Sequence, residues 1–299
     1  MKKIIYVFAL LLLYAAGLQA QCPPGSTPLS GLGAVTIATG QTYCIEPGQS
    51  FTGSLTLGGG TLVNNGTLTP SSLTFNSGTL TNNSLATLPT VTVNGTLTNN
   101  ATIKSSASIV VASGATLNNS GDFELSNTLS NSGTITNSGI LNVSQASTNN
   151  GIINNSGTLY SSGNYTINAG AQLTNSGNFQ VIGTLYVNAS LNNSKRIMVN
   201  GNLVINSTGS LTNSADVIVT GTITNNGTMT NRGLISSINI NENKKPTIDN
   251  GTLSVIAGSR YVDSLTQTIP VVIIFDEASF YTRRDRGEPV DKSYFTTKM

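Results

Sequence analysis

Histidine and tryptophan are missing altogether from the 299 residues, and charged side chains make up only 9% of them. Without histidine no Ser-His-Asp or Cys-His arrangement can form, which removes the commonest routes to an activated nucleophile. A formal net charge of +2 gives no electrostatic basis for holding nucleic acid or an anionic membrane surface. Cysteine occurs only as Cys22 and Cys44, too few ligands for a metal site. Scarce charge and 6% aromatics would suit a disordered chain, yet apolar residues reach 38%. Their regular order, described below, argues for a packed core. Beyond residue 20 no apolar run is long enough to span a bilayer.

The one long apolar run opens the chain. Lys2 and Lys3 precede "IIYVFALLLLYAAG", and a small residue, Ala20, ends the segment: the pattern of a secretory signal over 1–20. The run is short and no charged stop-transfer flank follows, which favours removal over retention as an anchor. A lipid anchor on Cys22 fits poorly, because Gln21 stands where that chemistry wants a small residue. The mature chain then begins near Gln21, outside the cytoplasm. There Cys22 and Cys44 are expected to form one disulfide, with two unpaired thiols as the alternative.

What the chain has in abundance is asparagine in register. An apolar residue followed two positions later by Asn recurs at Leu62, Leu80, Leu97, Leu117, Ile135, Ile153, Leu173, Leu191, Leu211, Met229 and Ile248. The steps are 17–20 residues, and the partners are Asn64, Asn82, Asn99, Asn119, Asn137, Asn155, Asn175, Asn193, Asn213, Asn231 and Asn250. Asn fills 36 of the positions 61–250, under one in five, so composition alone does not make eleven of eleven. Gly recurs four residues after the apolar anchor, as at Gly121, Gly139, Gly157 and Gly177. Apolar residues recur six after it (Phe123, Leu141, Leu159) and eight after it (Leu125, Val143, Val181). Apolar positions two apart are the strand period, and Gly between two such runs marks a turn.

Asn-Gly and Asn-Ser-Gly turns are also hairpin signals, but hairpins need no column aligned every 17–20 residues. A β-solenoid needs one, because a single coil cannot bury its own apolar face and only the stack has a core. The spacing therefore predicts an all-β, single-stranded parallel β-helix of about eleven coils. Asn can donate and accept along such a stack, and it tolerates the left-handed backbone of a corner. The column reads as an Asn ladder.

The "LTNSG", "LTNNG" and "ITNSG" repeats, with the low charge and the signal segment, resemble secreted, adhesin-like right-handed parallel β-helix proteins of Gram-negative bacteria. The resemblance covers about 55–250 and speaks to architecture. It implies a right-handed helix, which unequal coil lengths favour over the left-handed hexapeptide type. It also implies a cell-surface sorting or anchoring module after the repeats, of which the sequence shows no clear example.

Composition sets the boundaries: a signal over 1–20, an N-terminal cap over 21–54 with both cysteines and four prolines, repeats over 55–258, and a C-terminal cap or loose tail over 259–299. Of the 26 charged residues, 16 lie in 242–299. There "IPVVIIFDEASF" (269–280) reads as a buried strand.

Parallel β-helices include polysaccharide lyases and hydrolases, which need clustered carboxylates or basic residues with a metal. Between 55 and 241 the acids are Asp122, Glu124 and Asp216, and the bases are Lys104, Lys195, Arg196 and Arg232. Asp122 and Glu124 could form an outward pair, but Glu124 shares its coil position with Lys104, as Asp216 does with Arg196. Cross-coil ion pairs account for these four. "LGGGTL" (57–62) lacks the aspartates of a calcium repeat and the lysine of a phosphate loop. Thr flanks the anchor on both sides at Thr79/Thr81, Thr96/Thr98, Thr134/Thr136 and Thr228/Thr230, an array used by some ice-binding solenoids and equally an ordinary outward strand surface. The expectation is a non-catalytic structural or adhesion protein, secreted or on the outer cell surface, that meets an extracellular polysaccharide, a matrix or a surface protein. No cofactor, metal or nucleic acid enters this reading. The alternatives are an ice-binding protein, or a polysaccharide-acting enzyme using Asp276, Glu277 and Asp285.

Overall fold

The first strand of each turn reads apolar–polar–Asn, as in "TITN", and alternation puts Ile135 and Asn137 on the same side. The computed structural model describes residues 21–248, 251–255 and 261–263. The signal segment 1–20, Asn250, and nearly all of 259–299, with Asp276, Glu277 and Asp285, lie outside the described residues. Those described form a parallel β-solenoid of about twelve turns with no helix. At the interstrand spacing of ~4.8 Å this is a rod roughly 55 Å long.

A typical turn has three short strands, Thr134–Asn137, Ile140–Val143 and Ser147–Asn149, before the next begins at Ile152. Each pairs in parallel with its equivalent one turn on, so Ile135 meets Ile153, Leu141 meets Leu159, and Ser147 meets Tyr165. The first strands make one 14-stranded sheet, and the other two series merge into a 20-stranded sheet. Corners continue the ladder without a break: Ser138, Ser156 and Ser176 each donate a backbone N–H to the carbonyl of Asn119, Asn137 and Asn155, all at 2.8 Å.

The interior is three files of apolar side chains. Leu117, Ile135 and Ile153 come from the first strands, Phe123, Leu141 and Leu159 from the second, and Leu129, Tyr165 and Leu185 from the third, all buried. Tyr165 stands edge-on to Phe179, with ring centroids 5.1 Å apart and planes at 77°. Complete burial pushes the Tyr165 phenol well above the ordinary tyrosine pKa. The neutral form is the one the fold favours. Stability is thus intact below the unfolded-chain pKa of about 10 and falls above it, by about 1.4 kcal/mol per pH unit from this residue. Urea unfolding at about pH 9 and 11 should therefore differ by about 1.4 kcal/mol from this residue, most of it lost above pH 10, and Tyr165→Phe should remove that difference.

At both ends the stack differs from the sequence register. The ladder does not begin at Leu62: Thr27–Pro28 pairs with Tyr43–Cys44, and Tyr43 lies opposite Leu62. The strand pattern persists there while Asn does not, since Ile45 occupies the place below Asn64. At the other end Ile248 lies opposite Asn231, not opposite Met229. Pro246 precedes this strand and has no N–H to give, so pairing resumes only at Thr247.

Candidate functional site

The Asn column lies inside the rod, at the corner between first and second strands. Asn64, Asn82, Asn99, Asn119, Asn137, Asn155, Asn175, Asn193, Asn213 and Asn231 are all buried, none more than 2% exposed. From Asn64 to Asn231 each Nδ2 donates to the Oδ1 of the next at 2.7–2.8 Å. The same Nδ2 also reaches a backbone carbonyl one turn on, as Asn137 does to Thr158 at 2.9 Å. Oδ1 can in turn take the N–H two residues ahead, as Gly233 donates to Asn231 at 3.2 Å. Buried amides so fully engaged hold the corner and leave nothing for a ligand.

A second, shorter ladder escaped the sequence register. Asn131 and Asn149 end third strands, are buried, and are joined at 2.8 Å. Val111 precedes them and Ile167 follows in the same column, so no long file of Asn announces the position. Cys22 and Cys44 form a disulfide at the base of the rod with Cα atoms 5.7 Å apart. Asn65 Nδ2 lies 3.6 Å from the Cys44 sulfur.

Chemistry available to a partner must therefore lie on the outside. On the outer face of the first-strand sheet, residues on either side of each anchor stack in register. Thr79, Thr96, Thr116 and Thr134 form one row; Thr81, Thr98, Asn118 and Thr136 form the other. Neighbours within a row are about 4.8 Å apart and the rows lie about 6.8 Å apart, giving a regular lattice of polar groups. The hydroxyls of Thr79, Thr81, Thr96, Thr98, Thr134 and Thr136 make no hydrogen bond to another described residue, and all six side chains are partly or fully exposed. Ile152 and Gln172 interrupt the first row further up.

Charge sits on the next face. Lys104 Nζ and Glu124 Oε2 are 3.0 Å apart, and both are about half exposed, so the pair contributes at most ~1 kcal/mol. Asp122 is exposed beside them and Phe123 points into the core. Arg196 and Asp216 face each other in register. Burial lowers the Arg196 pKa, and the Asp216 carboxylate works against that shift. Among the described residues no group of three His, Cys, Asp or Glu could hold a metal. No helix among them is long and apolar enough to cross a membrane.

A family model described as "Haemagglutinin repeat" matches residues 29–146, 126–183 and 180–233. No curated protein and no solved structure matches the chain.

Proposed function

This chain belongs to the haemagglutinin repeat family, and from that membership we propose that its rod is exported and binds an extracellular polysaccharide, matrix or surface protein without catalysis. The observation that carries the reading is the lattice of outward Thr hydroxyls with no hydrogen-bond partner among the described residues. An adhesin-like structural role is what family and fold support. The Cys22–Cys44 disulfide suits an oxidising location outside the cytoplasm. On this reading the segment 1–20 directs export and the mature chain starts near Gln21.

Binding by such a surface is the sum of many weak contacts, each hydroxyl contributing about 0.5–1.5 kcal/mol. The test is the purified 21–299 chain on a panel of immobilised polysaccharides and matrix proteins, scored for binding and for cleavage together. Against the tightest binder, replacing Thr96, Thr98, Thr134 and Thr136 together by Val should weaken binding by at least about tenfold. Release of shortened sugar chains would overturn the non-catalytic reading. Binding indifferent to the four changes would overturn the Thr face. Thermal hysteresis in the same preparation would point to ice instead.

A further inference from the structure

Five Asn–Gly pairs lie among the described residues: Asn65–Gly66, Asn94–Gly95, Asn150–Gly151, Asn200–Gly201 and Asn226–Gly227. Asparagine before glycine is open to attack by its own chain, because no Cβ hinders the next main-chain nitrogen. That nitrogen gives up its proton and bonds to the side-chain Cγ, the Cγ–Nδ2 bond breaks, and ammonia leaves. Water then opens the five-membered imide to aspartate or isoaspartate. A hydrogen bond donated by the glycine N–H opposes the first step, since the proton must leave and the nitrogen must turn.

The five pairs share one kind of corner. In each, a Cβ on the glycine would lie 2.1–2.5 Å from a carbonyl oxygen of the turn below, so tight packing does not rank them. Hydrogen bonding does. Gly66, Gly151 and Gly227 donate their N–H to the Oδ1 of Asn64, Asn149 and Asn225 at 3.2–3.3 Å. Their reactive neighbours are also pinned from the turn above. Asn83, Asn168 and Asn243 donate Nδ2 to the Oδ1 of Asn65, Asn150 and Asn226 at 2.5–2.9 Å.

The other two pairs follow Val93 and Val199, inward aliphatic residues with no oxygen to offer. The N–H groups of Gly95 and Gly201 have no hydrogen-bond partner among the described residues. Val93 stands in the same column as Asn131 and Asn149, so one inward position decides whether the corner is locked. Asn94 is exposed, and its Nδ2 donates to the Phe75 carbonyl at 2.9 Å while no described residue donates to its Oδ1. Asn200 is half-buried, and Gln180 Nε2 reaches its Oδ1 at 3.4 Å.

We propose that Asn94 is a site of self-modification by deamidation, with Asn200 second, and that the inner amides shield the three Asn–Asn–Gly corners from the same reaction. The product sets a carboxylate two residues before Thr96, at the edge of the Thr face. Only three acids occur between 55 and 241, so one more is a large local change of charge.

The test is peptide mapping by mass spectrometry of the folded 21–299 chain during incubation in mildly alkaline buffer. Aspartate and isoaspartate should accumulate at Asn94 at least about tenfold faster than at Asn150, which is equally exposed. Asn149→Val, a residue type this column already holds at Val111, should raise the Asn150 rate to within about threefold of Asn94, with the far-ultraviolet circular dichroism unchanged. Equal rates at Asn94 and Asn150 in the unaltered chain, or an Asn150 rate unmoved by Asn149→Val, would overturn the proposal. Should that variant fail to fold, Asn200 in the unaltered chain decides. Though half-buried, it should outpace exposed Asn150, and a slower Asn200 would overturn the shielding.

Discussion

Asn155→Ala should lower the unfolding free energy by about 3 kcal/mol or more, while Asn154→Ala, one residue earlier, should change it by less than about 0.5 kcal/mol. The two side chains differ only in direction. Asn154 is exposed on the outer face. Asn155 accepts from Asn137 at 2.7 Å, and donates to Asn175 Oδ1 at 2.7 Å and to the Asn178 carbonyl at 3.0 Å. Truncation removes these bonds and leaves Asn175 Oδ1 buried without its donor from below, and a buried polar group left unpaired costs about 1–3 kcal/mol. Asn155→Asp should cost at least as much. It sets an acceptor where a donor is required, and brings a charge into a dry corner. Urea unfolding checks all three, since each variant should shift the midpoint without changing the slope.

Gly157→Ala reverses an ordinary sign. Replacing Gly by Ala where the backbone permits it usually stabilises by about 0.4–1 kcal/mol through the unfolded chain, and Gly157 is not among the residues with positive φ. A loss of about 3 kcal/mol or more is nevertheless expected, because a Cβ at this position would lie 2.1 Å from the Gly139 carbonyl oxygen and 2.6 Å from Ser138. The contact is with backbone, so relief requires parting two turns whose ladder bonds run unbroken on either side. Gly139 and Gly177 stand in the same file with the same approach. Gly170 is the control: its φ is +83°, and the space an alanine methyl would occupy there is open, so Gly170→Ala should cost only the left-handed penalty of about 1–2 kcal/mol. Thermal or urea unfolding of the two variants separates crowding from conformation.

Much of this was legible because a solenoid repeats its constraints. One buried corner, copied ten times, makes a column of Asn that chance cannot imitate, and the same arithmetic placed Lys104 over Glu124. The third strand was harder to see. Its inward positions vary between Val111, Asn131, Asn149 and Ile167, since a corner can be filled either by amides bonded to each other or by aliphatic side chains. Identity there is set by the turns above and below, which single-turn patterns do not convey. The last register failed at Pro246 for a local reason, the missing amide. The outer Thr rows were located by alternation alone; their ligand is written in no residue, because hydroxyls in a lattice serve many partners.

The file of ladder amides has a direction. Each Nδ2 points to the following turn and each Oδ1 back to the preceding one, over ten side chains from Asn64 to Asn231. Reversing any single amide would set donor against donor on one side and acceptor against acceptor on the other. Orientation is therefore inherited from turn to turn, and hydrogen bonds so aligned polarise one another. The rod carries a row of dipoles laid head to tail through its interior, and the two ends of that row, an acceptor at Asn64 and a donor at Asn231, are chemically opposite.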